Sequence, residues 1–432
     1  MKLKFKNFAA VIFIILIIYF MCSALGVFGS TLIDKARGVI VVKPDRPDRF
    51  AELYPFEDMP VESYKNFIDI MQDKIHKAIT EKINIQKSKI EAYTTDKLIG
   101  YMKFTELAKS YEELMNWNVN SIAEYNNIVE LADGYFSGIA EKRDVNYSAE
   151  NTIRLANFCA ERNIKFLYAN APAKICVSED ANISGKIDFV NQNADEFLKI
   201  LENNNINYLD FRKILHDENL GHHAAFFRTD HHWLPSASLW AARYILNYLK
   251  HEYKYDVKPD ILKPENFKVI TYPKWFLGSQ GKKVTLARAE PDDFDLIYPK
   301  FKTSIRYENF MDNTDVSGDF SLMYDMKYFK EVNYYEDNVY ASYPLGFAER
   351  KTNNLAENNL KILFLHDSFG DTVIPFLTLA VKQLDILDLR VFTGSVKSYI
   401  KQHTPDCVIV LYNSDMIGKK YEGTTRNIFD LR

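Results

Sequence analysis

The chain has 432 residues, 47% of them apolar and 26% charged, a composition that folds around a core at a length where one compact unit is expected to carry an appendage. Its 54 Lys and Arg against 58 Asp and Glu leave a net charge of −4. No broad basic field exists to attract nucleic acid, and that partner class is set aside.

In chain order, Lys2, Lys4 and Lys6 precede an almost wholly apolar span from Phe8 to Phe28, and no charge follows until Asp34. Such a span is long enough to cross the hydrocarbon of a bilayer as a helix. Lysines before it and none within it put the N-terminus in the cytoplasm and everything after Asp34 outside. Residues 1–33 therefore read as a membrane anchor, or as a signal segment cut near Ser23-Ala24-Leu25-Gly26 or Phe28-Gly29-Ser30. Both readings make the main domain extracytoplasmic, and the anchor reading makes the protein single-pass in the cell membrane. Residues 34–60, with Pro44, Pro47, Pro55 and Pro60 among charges, suit a linker. Over 61–123 the pattern is helical: Phe67, Met71, Ile75, Ile79 and Ile83 recur every fourth residue, a stripe that packs on the main domain or on a partner.

From about residue 124 the texture changes to short apolar runs alternating with helices. Ile164 to Ala169, Leu360 to Leu365 and Cys407 to Tyr412 read as strands; Pro235 to Tyr253 and Thr372 to Leu384 read as helices. Fully apolar strands separated by helices imply an α/β domain whose mostly parallel sheet is covered by helices on both faces. Sheets of this kind place their sites at the carboxyl ends of the strands. Cys22 lies in the apolar span, and Cys159, Cys176 and Cys407 show no paired spacing, so each is expected to pack as a small apolar side chain.

Two polar clusters follow apolar runs. In Leu363-Phe364-Leu365-His366-Asp367-Ser368-Phe369-Gly370 a buried strand empties into a turn before a helix. Ser368 then sits at a strand end where free backbone N–H groups can hold a developing oxyanion, as acyl transfer requires; a serine that merely caps the next helix is the plainer alternative. In Arg228-Thr229-Asp230-His231-His232-Trp233-Leu234-Pro235 the polar run feeds a helix begun by Pro235. Asp230 can bond Nδ1–H of His232, fix its tautomer and leave Nε2 to take the Ser368 proton, while His231 is expected to point elsewhere on an extended loop. His222 and His223 lie just upstream, so a zinc site is the rival. The spacing matches no metal signature, and neither metal nor cofactor is assigned.

The string Arg228-Thr229-Asp230-His231-His232-Trp233 resembles the signature of the DHHW proteins, related to the SGNH-like acetyltransferases of alginate O-acetylation, in which an Asp-x-His-Trp segment precedes an Asp-Ser-Phe block as it does here. The likeness covers about residues 120–413, including Ala169 to Lys174 and Pro405 to Val410. It implies an SGNH hydrolase-like domain over 124–432 and carries a triad onto Ser368, His232 and Asp230. Two departures stand out: His366 replaces a glycine before Asp-Ser, and Asp230-His231-His232 is one residue tighter than in ordinary SGNH esterases. On this reading the Ser368 N–H is one oxyanion donor, with Gly278 or Asn413 as the second. Lys174 and Arg228 pair with an acidic sugar or with the domain's own carboxylates. Trp233 and Trp240 stack on a sugar or join the core.

The resemblance implies an extracytoplasmic O-acetyltransferase that moves acetyl through a serine acyl-enzyme onto a cell-surface or exported polysaccharide. Cytoplasmic acetyl-CoA does not reach that side unaided, so a membrane-bound O-acyltransferase is the implied donor partner. A polysaccharide acetyl esterase with the same triad, and a non-catalytic glycan-binding component of an export complex, remain open alternatives.

Overall fold

The computed structural model describes residues 128–176, 187–343, 347–420 and 426–432, together with residues 53, 106, 107 and 110. The N-terminal apolar span and almost all of the linker and of the helical region expected over 61–123 lie outside the described residues. Among the described residues no helix is long and apolar enough to cross a membrane.

A short hairpin, β1 (Ile128–Glu130) and β2 (Phe136–Gly138), leads into α1 (Asn146–Ala160), β3 (Lys165–Ala171), α2 (Val190–Asn203), β4 (Tyr208–Asp210) and α3 (Phe211–Asp217). Next come α4 (Pro235–His251), a long hairpin of β5 (Phe267–Phe276) and β6 (Asp292–Pro299) with α5 (Ser279–Val284) between its arms, then β7 (Ile305–Asn309), β8 (Thr314–Gly318) and β9 (Ala348–Asn353). The last stretch holds β10 (Lys361–His366), the single turn α6 (Ser368–Asp371), α7 (Ile374–Ala380), β11 (Gln383–Leu387), α8 (Val396–His403) and β12 (Cys407–Asn413).

The main sheet runs β4-β3-β12-β10-β11-β9-β7-β8. Its first five strands are mutually parallel, and β9, β7 and β8 extend it in antiparallel fashion. The sheet is therefore mixed rather than mostly parallel. Both faces of the parallel half are covered, which is why β10 reads as an unbroken apolar run. Ile362 and Phe364 pack with α4 and α7 in one core, while Leu363 and Leu365 pack with α1, α2 and α8 in a second.

Three strands and the helix from Pro235 fall where the sequence puts them. The stretch from Thr372 to Leu384 does not form one helix: α7 ends at Ala380, Val381 is extended (φ −122°, ψ 158°), and Leu384 belongs to β11. Every residue of α7 is buried and β11 is buried from Leu384 on, so neither shows a polar face whose period separates helix from strand. Cys159 and Cys407 are buried free thiols, as small apolar side chains would be, and Cys176 is half-buried.

Phe364 is fully buried at the centre of the sheet. Phe364→Ala is expected to cost about 3–5 kcal/mol, read as a lower urea midpoint at unchanged m-value.

Candidate active site

At the carboxyl end of β10 the chain turns on Asp367. Its Oδ1 accepts the Phe369 N–H at 2.9 Å and its Oδ2 accepts the Asn413 N–H at 2.6 Å, so one carboxylate caps α6 and ties it to the neighbouring strand end of β12. Ser368 is the first residue of that turn and is half-buried. Among the described residues no acceptor meets its backbone N–H.

The second loop is pinched shut by an antiparallel bridge between Phe226 and Trp233. The chain between them bends tightly, and Pro235 starts α4 directly after. This folds Asp230 back onto His232: Asp230 Oδ1 lies 2.5 Å from Nδ1 of His232 and accepts the His232 backbone N–H at 3.1 Å. A carboxylate only accepts, so Nδ1 carries the proton and Nε2 is left as an acceptor. Nε2 stands 2.7 Å from Ser368 Oγ, across 136 positions of sequence. Asp230 is 3% exposed. Burial alone would raise its pKa, but the neighbouring imidazoles of His231 and His232, with the hydrogen bonds from His232 and from the Ser279 N–H at 2.7 Å, hold it well below the usual carboxylate range. Its contribution to stability is thus present at neutral pH and is lost only as the pH falls through that lowered value.

A hydroxyl, an imidazole and a carboxylate thus stand in one hydrogen-bonded line at the carboxyl end of the parallel strands. Residues 139–268 match the family model described as SGNH hydrolase-like domain, acetyltransferase AlgX. That segment contains Asp230 and His232, and Ser368 lies beyond it. PatB1 of Bacillus cereus is similar in structure, at a TM-score of 0.56 and 21% identity over 71% of this chain and 100% of that one. PatB1 with a sulfonyl adduct is similar at a TM-score of 0.55 and 20% identity, over 71% and 100% of the two chains. A DHHW family protein from Eubacterium siraeum is similar at a TM-score of 0.50 and 16% identity, over 68% and 93%. No curated protein matches the chain. These likenesses establish an SGNH hydrolase-like α/β fold, and the resemblance to DHHW and AlgX-type proteins read from the motif is found again in the matches.

Several further residues of this SGNH-like domain do something other than expected. Gly278 gives its N–H to Thr229 Oγ1 at 2.8 Å and is no oxyanion donor. Its role is close approach, since a Cβ there would stand 2.2 Å from Asp230 Cβ and 2.6 Å from the Thr229 carbonyl. Asn413 Nδ2 gives one of its two hydrogens to the Pro172 carbonyl at 2.7 Å, and Oδ1 accepts the Asp415 N–H at 2.9 Å. Lys174 is 2% exposed and pairs with no carboxylate among the described residues; its ammonium spans the carbonyls of Phe136 (2.7 Å) and Arg228 (3.1 Å) and Oε1 of Gln280 (3.0 Å). Trp233, at 1% exposure, offers no stacking face. Its indole N–H reaches the Phe369 carbonyl at 3.1 Å and Thr372 Oγ1 at 3.0 Å, so it braces the turn that carries Ser368. Trp240 is half-buried, packs on Phe211 and donates to Glu218 at 2.8 Å. Arg228 is exposed, its guanidinium 5.8 Å from the ring centre of Tyr135.

His231 does not diverge from His232. The bend in the loop brings their ring centres to 3.8 Å, with His231 Nδ1 3.2 Å from Ser279 Oγ. The four-histidine arrangement does not form: His222 bonds the Ala173 carbonyl at 2.8 Å and His223 stacks on Tyr135, while among the described residues the ligating atoms that cluster within 4.8 Å are those of Asp230, His231 and His232. Two supporting residues escaped the sequence reading. Tyr340 lies parallel over His232 at 3.8 Å between ring centres and donates to the Ser368 carbonyl at 2.8 Å. Ser279 supplies the backbone donor to Asp230. Nothing in sequence separates Tyr340 from the chain's other 26 tyrosines (27 in all).

Gly278→Ala is expected to force the Thr229–Asp230 segment aside, lowering stability by about 1–3 kcal/mol and disturbing the His232 geometry. Gly221→Ala, whose Cβ would make an ordinary 3.7 Å contact with Ala224, is expected to leave the melting temperature unchanged.

Proposed function

We propose that this protein is a serine-dependent O-acetyltransferase acting outside the cytoplasm on a cell-surface or exported polysaccharide. The observation that carries the reading is the continuous line from Ser368 Oγ through both nitrogens of His232 to Asp230. In the first half-reaction Ser368 Oγ attacks the carbonyl carbon of an acetyl donor while Nε2 of His232 takes the hydroxyl proton. The oxygen that becomes negative meets the Ser368 N–H, at the positive end of the α6 turn. Collapse breaks the bond to the donor's oxygen, which leaves with the proton from His232, and an acetyl-serine remains. In the second half-reaction His232 takes the proton of a sugar hydroxyl, whose oxygen attacks the acetyl carbonyl; collapse breaks the acetyl–Oγ bond, and Ser368 leaves with the proton from His232.

The acetyltransferase description of the matched family model supports the acetyl group as cargo. A cleft of about 410 Å³ adjoins His231 and Ser279, with Lys283, Asp415 and Lys419 on its walls, a volume suited to a sugar acceptor. Placement outside the membrane rests on the lysines and apolar span of residues 2–28. The proposed donor partner is a membrane-bound O-acyltransferase that delivers acetyl groups across the bilayer, a reading supported by the resemblance together with that placement.

A sulfonyl fluoride is expected to modify the parent protein on Ser368, located by peptide mass spectrometry, and to leave Ser368→Ala untouched; a parent that resists labelling sinks the acyl-enzyme. Asp230→Asn is expected to lower turnover of an acetyl ester by about 10⁴-fold. Acetyl release that no glycan acceptor alters would replace transfer by hydrolysis with the same three residues.

A further inference from the structure

His366 is the last residue of β10 and is 1% exposed, its ring stacked on Phe364 at 5.6 Å. Its Nδ1 lies 2.7 Å from the carbonyl oxygen of Asp367. A carbonyl only accepts, so Nδ1 is protonated and donates. The Gly370 N–H donates to the same oxygen at 2.9 Å, and the Asp371 carboxylate stands 3.6 Å from Nδ1 on the ring's edge. The fit depends on Gly370, because a Cβ there would come within 2.5 Å of His366 Cβ and 2.8 Å of Nδ1.

The Asp367 carbonyl and the Ser368 N–H are the two ends of one planar trans peptide, so the direction of one sets the direction of the other. With two donors on the carbonyl, that plane has little freedom to rotate. The Asp367 side chain, bonded to Phe369 N and Asn413 N, holds the same turn from a second direction. The N–H that results is unmatched among the described residues.

We propose that His366 is a positioning residue for the reaction: by holding the Asp367 carbonyl through Nδ1–H it locks the Asp367–Ser368 peptide plane and aims the Ser368 N–H at the oxygen that turns negative during acyl transfer. The inference rests on Ser368 being the nucleophile. Its effect falls on the transition state, where that oxygen carries charge, and leaves substrate binding alone.

The test compares acetyl-ester turnover of the parent with His366→Asn, whose amide N–H reaches the place of Nδ1, and with His366→Gln and His366→Ala, which put no donor there. Losing a whole oxyanion donor costs about 10²–10³ in kcat, so a loosened one is expected to cost about 10- to 100-fold in the Gln and Ala variants, with KM within about twofold. The Asn variant is expected to keep kcat within about threefold of the parent, measured well below each melting temperature. Parental kcat in the Gln variant, or an Asn variant as slow as the Gln variant, overturns the proposal, and the Gln variant serves if the Ala variant fails to fold. Sulfonyl labelling of the parent on Ser368 is run beside it. A parent that neither labels nor turns over removes the nucleophile and this inference with it, whereas an active parent with unaffected variants removes only the role of His366.

Discussion

A buried carboxylate stays ionised only where donors surround it, and the arrangement around Asp230 follows from that requirement. Its Oδ1 takes two hydrogens from His232 and its Oδ2 takes the Ser279 N–H, so both sequence-local and remote backbone must converge on one side chain. Convergence in turn demands a glycine at 278, since any Cβ there would occupy the space of the Asp230 side chain. Thr229 completes the joint: its hydroxyl accepts from Gly278 N and donates to Asp292 Oδ2 at 2.6 Å, at the start of β6. The long hairpin is thus bolted to the histidine loop through the residue next to the carboxylate it serves.

The nucleophile's side of the site depends on the central position of β10. Parallel partners β11 and β12 flank it, and its end is therefore surrounded by other strand ends instead of solvent. Asn413, closing β12, donates its backbone N–H to Asp367, and Trp233 reaches from the opposite loop to the α6 turn. The two loops are held to one another by an indole and by a tyrosine ring, so the separation between Ser368 and His232 is set by rigid aromatic groups.

Much of this was legible in the sequence, and the boundary has physical causes. Strands covered on both faces announce themselves as apolar runs, and Asp230-His231-His232 with Ser368 could be singled out because polar clusters directly after such runs fall at strand ends, where these sheets place their sites. Residues whose function is contact geometry left no such mark. Gly278 or Asn413 is the expected second oxyanion donor; the fold reveals that the Gly278 N–H is already taken by Thr229 Oγ1, while Asn413 gives its backbone N–H to Asp367 and one of its two amide hydrogens to the Pro172 carbonyl. Lys174 is expected to pair with an acidic sugar or a carboxylate, whereas burial makes it a three-way hydrogen-bond donor whose pKa is lowered by desolvation to about 7. His231 was misplaced because the loop bends where an extended course was assumed, and the antiparallel half of the sheet begins in segments with no period that sets them apart.

The ammonium of Lys174 joins three separate pieces of chain: the β1–β2 hairpin through Phe136, the histidine loop through Arg228 and α5 through Gln280. The walls of the site are therefore one mechanical assembly, in which this buried rivet adds to the bonds that Thr229 and Asp230 make with Gly278 and Ser279. A redesign that transplants any one of these segments from another protein inherits an obligation to supply the matching carbonyl or amide, and loop grafting to alter acceptor choice succeeds only when the three segments travel together.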